Sequence, residues 1–242
     1  MSLGVPVRRG FTLRPMAASL IVFAGAAACG RETPRQAAPA SGLPSRVEAR
    51  PSQAARPRVV FLGDSLTAGY GLAPSQAYPS LVQQRLRDAG LTSEVVNAGV
   101  SGDTSAGGLR RVDWALDGDV TVLVVALGGN DALRGLSTDE LRRNLAAIIE
   151  RARRRSVTVI LAGMEAPPNL GKAYTSAFRQ VYRNLAAEYR IALIPFLLDG
   201  VAGRPWLNQA DLIHPNAEGA RTIAALVWPY VERALREAGH DD

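Results

Sequence analysis

The sequence predicts a three-layer α/β/α domain, flavodoxin-like in layout, built on a parallel sheet of about five strands. Short apolar runs rich in β-branched residues alternate along the chain with longer segments of helical period. The short runs are continuously apolar, which is typical of strands buried on both faces of a sheet. Polar, glycine-containing segments follow these runs. Because ligands of such sheets bind where the strands end, a site is expected at the carboxyl edge.

The predicted strands and helices follow in chain order. The strands span residues 59–62, 94–98, 120–127, 157–162 and 191–195. A capping-box pattern formed by Ser137 and Glu140 precedes one amphipathic helix. Pro215 is placed to open the last helix, and Pro229 is expected to kink it.

The start of the chain is predicted to lie outside the folded domain. Residues 1–28 combine early arginines, an apolar run and small residues just before Cys29, which is typical of an export signal for the general or the twin-arginine route. Cys29 stands where a bacterial lipoprotein is cleaved and lipidated, although ordinary cleavage nearby fits equally. Residues 29–57 hold five prolines and no aromatic residue, which predicts a disordered tether. The folded domain then spans residues 58–242.

The composition excludes some classes of function. The chain of 242 residues has a formal net charge of +6, one lysine and no basic stripe interleaved with aromatic residues, so nucleic-acid binding is not expected. Its one cysteine excludes a disulfide framework. A hydrophobic content of 47% suits one globular core, and we expect a monomer.

Ser65 is the candidate nucleophile. It follows the first predicted strand, in the segment 63–66 (Gly-Asp-Ser-Leu), where a tight glycine turn would lift the hydroxyl to the rim of the sheet. A serine hydroxyl is a nucleophile only when a base can take its proton. The alternative interpretation is that Ser65 caps the following helix.

His214 is the candidate base, with Asp211 as its partner. Both lie in the segment 211–215 (Asp-Leu-Ile-His-Pro), and the only other histidine, His240, lies in the polar terminus. A carboxylate placed shortly before a histidine on one loop can accept the Nδ1–H, which directs Nε2 towards the serine. The alternative interpretation is that His214 caps the last helix.

Gly102 and Asn130 are candidate oxyanion donors. They lie in the segments 101–104 (Ser-Gly-Asp-Thr) and 128–131 (Gly-Gly-Asn-Asp), after the second and third predicted strands. The Gly102 N–H can approach a ligand closely, the Asn130 amide is a second donor, and the Ser65 N–H is a third. The alternative is turn chemistry, since Gly-Asp and Asn-Asp are common in turns.

Taken in order, these four segments resemble the SGNH, or GDSL, hydrolase family. The Gly-x-Ser-x-Gly signature of the α/β-hydrolases is absent around Ser65. The resemblance implies the roles of nucleophile, base, acid and oxyanion donors for the residues just named. It is closest to the bacterial multifunctional thioesterase, arylesterase and lysophospholipase group. Residues 163–171 fall where that group has a mobile loop beside the acyl site, which implies substrate contacts from Met164 and Leu170, although an irregular connection held by prolines fits equally.

The expected function is an exported serine hydrolase that cleaves carboxylic esters or thioesters through an acyl-enzyme on Ser65. Its partner would be a small acyl ester or thioester, and it would need no metal or organic cofactor. The protein would be periplasmic or attached to the cell envelope by a lipid anchor. Three alternatives stay open: a carbohydrate O-deacetylase of the same family, a non-enzymatic exported binding protein, and a metal phosphoesterase. The last would be short of nitrogen ligands, because the domain body holds one histidine.

Overall fold

The computed structural model describes residues 57–239, and a five-stranded parallel sheet forms their centre. The strands, in chain order, are β1 (Arg58–Gly63), β2 (Glu94–Gly99), β3 (Val120–Ala126), β4 (Thr158–Ala162) and β5 (Ala192–Ile194). Their order across the sheet is β2-β1-β3-β4-β5. The predicted parallel α/β architecture is confirmed, and each strand lies within a residue or two of its predicted position.

Helices connect the strands and cover the sheet. They are α1 (Ser65–Ala68), α2 (Tyr78–Asp88), α3 (Ser105–Ala115), α4 (Gly129–Leu133), α5 (Thr138–Arg153), α6 (Gly171–Tyr189) and α7 (Ala217–Ala238), with 3₁₀ turns at Pro74–Gln76, Pro168–Leu170 and Pro205–Leu207. Helix α2 packs against α7, and α3, α5 and α6 pack side by side. Consecutive residues of β1 from Val59 to Leu62 are all buried, so both faces of the sheet are covered. This explains why the strands are continuously apolar in sequence.

The sheet order brings the ends of three strands together. Gly63, at the end of β1, pairs with Gly99 of β2 on one side and with Ala126 of β3 on the other. The chain passes from β2 to β3 across β1, so the crossovers diverge on either side of the central strand. Loops that leave a parallel sheet at such a switch point enclose a crevice, which is where ligands bind. The segments after β1, β2 and β3 are therefore neighbours.

The helix boundaries differ from the sequence prediction at one point. Ser137 is the N-cap of α5, and its hydroxyl accepts the Asp139 N–H at 3.2 Å, but within residues 57–239 no bond from Glu140 completes the predicted capping box. Helix α7, however, begins at Ala217 rather than Pro215, because the Asn216 side chain accepts the first free N–H groups of the helix. Pro229 lies on the exposed face of α7, which continues as helix on both sides of it.

Several predictions lie outside the described residues. These are the export signal in residues 1–28, lipidation at Cys29 and the tether (all but its last residue, Pro57); His240 also lies outside the described residues. Within residues 57–239, no helix is long and apolar enough to cross a membrane.

Candidate active site

Ser65 lies at the rim of the sheet because β1 ends two residues earlier. Gly63 closes the strand, and Asp64 is the N-cap of α1, with its carboxylate accepting the Leu66 N–H at 3.0 Å. Ser65 is then the first residue of the short helix α1 and lines a cavity at the carboxyl edge. The cap interpretation made from the sequence applies to Asp64 and not to Ser65.

His214 is held by a tight turn between the 3₁₀ turn Pro205–Leu207 and α7. One Asp211 carboxylate oxygen accepts the N–H groups of Ile213 and His214, each at 3.0 Å. Leu212 sits at the tip of this turn with a positive φ of 58°, a left-handed conformation that is strained for a leucine. The turn therefore directs the His214 ring towards the sheet and the Leu212 side chain towards solvent.

The three predicted side chains meet in one hydrogen-bonded row. The second Asp211 oxygen lies 2.6 Å from His214 Nδ1, and His214 Nε2 lies 3.0 Å from Ser65 Oγ. Because the carboxylate can only accept, Nδ1 carries the proton and Nε2 is free to accept the serine O–H. The backbone N–H of His214, its side chain and the Ile213 N–H together lower the pKa of Asp211 to about 2. Asp211 thus stays ionised at neutral pH, beside the imidazole.

The predicted oxyanion donors face the same cavity as Ser65. Gly102 has a φ of 83°, which a side chain would strain, and its carbonyl accepts a bond from Arg134 at 2.8 Å. Within residues 57–239, the N–H groups of Ser65 and Gly102 donate to no protein acceptor. Gly102, Ser65 and Asn130 all line the cavity, so two unpaired N–H groups and one amide are available to a ligand oxygen.

The Asn130 amide is held in place by two acceptors. Its Nδ2 donates to the Asp103 carbonyl at 2.9 Å and lies 3.3 Å from an Asp64 carboxylate oxygen. Asp64 is buried, and desolvation raises the pKa of its carboxyl to about 6 although the Leu66 N–H opposes that shift. The longer of the two bonds is the weaker, so a ligand oxygen can compete for the second Nδ2 hydrogen.

Arg111 joins the strand ends beneath the site, a role that the sequence did not reveal. Its guanidinium donates to the carbonyl of Gly63 at 2.7 Å, to that of Ala98 at 2.6 Å and to the carboxylate of Asp103 at 2.6 Å. It thereby ties β1 and β2 to the loop that carries Gly102. The signal in the sequence is a charged residue on the otherwise small and apolar buried face of α3.

The corner after β3 is fixed by buried polar contacts. Gly128 has a φ of 114°, and a side chain there would collide with the Tyr182 hydroxyl, which donates to the Leu127 carbonyl at 2.9 Å. The buried Asp131 carboxylate accepts both the N–H and the hydroxyl of Ser105, at the start of α3. The segment 128–131 is thus the N-cap and first turn of α4 rather than an isolated turn, and this helix start carries Asn130 to the cavity.

A cavity of about 410 Å³ opens beside Ser65. Its lining is mainly apolar, and its larger apolar side chains are Leu66, Tyr70, Leu133, Met164, Leu198, Leu212 and Ile213. Met164 was expected here. Leu170, which was also expected, is not among the lining residues, because the chain enters the 3₁₀ turn Pro168–Leu170 and then α6, and Pro167 borders the cavity instead.

No metal site is evident in the part of the chain that the structure describes. Residues 57–239 contain no group of three or more His, Cys, Asp or Glu side chains placed to hold an ion. The charged groups at the site instead have protein partners: Asp211 binds His214, and Asp103 binds Arg111.

Serine, histidine and aspartate side chains that are hydrogen-bonded in a row, beside unpaired N–H groups, form the arrangement typical of serine hydrolases. The sequence matches the model of the GDSL-like lipase/acylhydrolase family over residues 61–222. It is 44% identical over 184 residues to esterase TesA of Pseudomonas aeruginosa, which covers 76% of this chain and 92% of that protein. It is 36% identical over 172 residues to thioesterase 1/protease 1/lysophospholipase L1 of Escherichia coli K12, covering 71% and 81% respectively.

A solved structure shows the same similarity in three dimensions. A crystal structure of TesA superposes with a TM-score of 0.71 at 42% identity, over 73% of this chain and 99% of that one. The chain therefore belongs to the GDSL-like lipase/acylhydrolase family, and it is an esterase. The expected family, fold and enzyme class are confirmed, and the non-enzymatic alternative is set aside.

Proposed function

We propose that this esterase works through an acyl-enzyme on Ser65, with His214 as general base and Asp211 as its orienting acid. His214 Nε2 takes the hydroxyl proton as Oγ attacks the ester carbonyl, and the imidazolium then gives that proton to the leaving alcohol or thiol. Water, activated by the same nitrogen, releases the acid and restores the serine. The observation that carries this proposal is the 3.0 Å separation between Ser65 Oγ and His214 Nε2.

The tetrahedral oxyanion is assigned to the N–H groups of Ser65 and Gly102 and to the Asn130 amide. The two backbone groups have no competing acceptor among residues 57–239. Asn130 Nδ2 gains its ligand bond by leaving the long contact to Asp64. The two backbone donors need no reorganisation during the reaction, and each oxyanion donor is worth about 10²–10³ in rate.

The substrate is assigned to small esters or thioesters of an apolar acyl chain. The cavity beside Ser65 is lined mostly by apolar side chains, including Met164 and Leu198, which suits a hydrocarbon chain better than an acetylated sugar. The names of the Escherichia coli and Pseudomonas aeruginosa relatives, which include thioesterase, lysophospholipase and esterase, point in the same direction. Comparing acetyl-sugar esters with longer-chain acyl esters tests this assignment against O-deacetylation.

Export is part of the proposal. Residues 1–28 have the pattern of an export signal, and the proline-rich segment that follows would separate the enzyme from the envelope. Whether the mature protein is free in the periplasm or anchored through lipidated Cys29 is decided by metabolic labelling with a radioactive fatty acid. Replacing Cys29 with Ala should abolish the label only if the protein is a lipoprotein.

Replacing Ser65 with Ala tests the mechanism. We expect the Ser65→Ala variant to fold normally, to lose nearly all hydrolysis of a chromogenic acyl ester, and to resist covalent labelling by a fluorophosphonate. The matched control is Ser75→Ala, which changes an exposed serine away from the cavity and should retain both properties. A Ser65→Ala protein with full activity would refute the proposed nucleophile.

A further inference from the structure

We propose that Gln209 is a positioning residue that holds the loop of the base against the loop of the nucleophile. This inference rests on the function proposed above. Gln209 belongs to neither the triad nor the oxyanion donors. It contacts both loops, and it sets the separation across which the proton moves.

The backbone of Gln209 closes the turn that carries His214. Its N–H donates to the His214 carbonyl at 2.7 Å, and its own carbonyl accepts the Leu212 N–H at 2.9 Å. The histidine and the glutamine are thus fixed to each other at the two ends of the turn. Any displacement of Gln209 therefore moves the imidazole as well.

The side chain of Gln209 reaches the other loop. Its Nε2 donates to the Tyr70 carbonyl at 2.7 Å and to the Pro215 carbonyl at 3.0 Å. The Tyr70 N–H in turn donates to the Ser65 carbonyl at 3.0 Å. A ring of hydrogen bonds therefore runs from Ser65 through Tyr70 and Gln209 to His214, and the contact between His214 Nε2 and Ser65 Oγ completes it.

Within residues 57–239, the turn is joined to the loop of the nucleophile by one other hydrogen bond, that of the imidazole with the serine. Leu212 and Ile213 are exposed, so the tip of the turn contributes little apolar packing. The Tyr70 ring lies with its centroid 4.7 Å from that of His214, but Tyr70 is itself more than half exposed. The Gln209 amide uses both of its hydrogens on carbonyls from the two loops, which makes it the main polar anchor between them. A misplacement of about 1 Å at such a site can lower the rate by about 10²-fold.

Two substitutions separate the donor role of Gln209 from its bulk. Gln209→Met keeps the length of the side chain and removes both hydrogens. We expect kcat to fall roughly 10- to 100-fold with KM changed by less than about twofold, and fluorophosphonate labelling of Ser65 to slow in parallel. Gln180→Met is the matched control, because Gln180 is exposed on α6 and its side-chain amide donates to Asn184, away from the cavity. The control should match the unaltered enzyme.

The pH dependence of Gln209→Glu is a measurement that loss of packing alone would not change. A protonated carboxyl can donate one O–H to the Tyr70 carbonyl, whereas the ionised form sets two acceptors against two carbonyl oxygens. The activity of Gln209→Glu relative to Gln209→Met should therefore be highest at acid pH and should decline as the pH rises. A ratio that is constant with pH would contradict the donor role.

A further variant shows whether Gln209 acts through the base. In a His214→Ala background, Gln209→Met should slow the residual labelling of Ser65 far less than it does in the unaltered enzyme, since groups that act as a unit are not additive. The proposal is overturned if Gln209→Met keeps kcat within twofold, or if its full loss persists without His214. Should Gln209→Met fail to fold, Gln209→Asn, which keeps the amide but is shorter, must show the same fall in kcat. An active Ser65→Ala enzyme would instead refute the proposed function itself.

Discussion

At the scale of single residues, Asp64 is a carboxylate whose burial opposes its ionisation. Its carboxylate is buried, caps α1 through the Leu66 N–H and accepts the Asn130 amide. Burial outweighs these bonds and raises the pKa of Asp64 from 3.8 to about 6. The folded protein therefore binds this proton more tightly than the unfolded chain does, so the contribution of Asp64 to stability grows as the pH falls from 6 towards 3.8.

Replacing Asp64 with Asn removes this titration. The stability of the unaltered protein relative to Asp64→Asn should rise by on the order of 2 kcal/mol between pH 7 and pH 4.5, since one unit of pKa shift is worth about 1.4 kcal/mol. Urea unfolding of both proteins at the two pH values measures the difference. Asp211 does not interfere, because its lowered pKa places its loss of stability below pH 3.8. Equal pH dependence in the two proteins would show that Asp64 is not desolvated.

Leu212 offers a test of backbone strain. A leucine at a φ of 58° is strained by about 1–2 kcal/mol, and a glycine there would relieve that strain while adding about 0.5–1 kcal/mol of unfolded-state entropy. Because Leu212 is exposed, little burial is lost. We expect Leu212→Gly to raise the free energy of unfolding by about 0.5 kcal/mol, whereas Ile213→Gly, beside it, should lower that free energy by about 1 kcal/mol. If both variants lost similar free energies of unfolding, the backbone at Leu212 would not be strained.

The residues that sequence alone could assign are those whose chemistry depends on residue type and order. Ser65, Asp211 and His214 were candidates because a nucleophile, a base and an orienting acid follow recognisable loop patterns, and the structure brings them within hydrogen-bond distance. Gln209 could not be found in this way. Its partners are carbonyl groups, which every residue has, and one of them lies 139 residues away in the chain.

At the scale of elements, Arg111 fastens helix α3 to the ends of β1 and β2. The side chain is largely buried and donates to two carbonyls and to the Asp103 carboxylate. The Arg111 guanidinium therefore holds helix α3, the loop before it and both strands together. Removing it would leave Asp103 without this cation and would take one donor from each of two strand carbonyls, although the Gly63 carbonyl keeps the Val100 N–H.

Replacing Arg111 with Met should accordingly be costly. We expect the free energy of unfolding to fall by about 3–5 kcal/mol, the range for a buried ion pair that loses one partner. Arg221→Met is the comparison, since Arg221 pairs with Glu218 on the surface, where each side chain is more than half exposed, and should cost less than about 1 kcal/mol. Urea unfolding of the two variants decides. An equal loss of unfolding free energy in both variants would show that Arg111 stabilises the protein no more than a surface residue does.

The elements themselves were largely predictable, but their arrangement was not. The runs at 120–127 and 157–162 became β3 and β4, because strands buried on both faces have to be apolar throughout. The order of the strands depends on which helices pair across each face, which no local pattern encodes. The sequence predicts the start of α7 two residues early, because proline is common in the first turn of a helix, whereas Asn216 is the cap.

At the scale of the whole molecule, the two ends of the chain are expected to differ in how much they stabilise the domain. Helix α7 buries Ile223, Val227, Val231 and Leu235 against the core. Burying each such side chain is worth about 1.5–3 kcal/mol, so together they match the typical stability of a domain, about 5–15 kcal/mol. The segment before residue 57 was predicted from its composition to make no such contribution.

Two truncations test this asymmetry. A chain that begins at Pro57 should keep the melting temperature and kcat/KM of the full chain. A chain that ends at Asn216, and so lacks α7, should show no cooperative thermal transition and no activity. Calorimetry measures the thermal transition of each truncated chain, and ester hydrolysis measures its activity. A fall of more than about 5 °C on removing residues 1–56 would mean that they stabilise the domain by about 1 kcal/mol or more.

The hydrogen bond between Ser65 and His214 spans 149 residues of chain, from the first strand-to-helix turn to the last. During translation, Ser65 is therefore synthesised early and His214 late. Under the proposed mechanism, every partial polypeptide that stops short of the final loop is chemically inert towards esters. Lipids that the growing chain meets are therefore not attacked, and hydrolysis begins only once translation has passed the last loop.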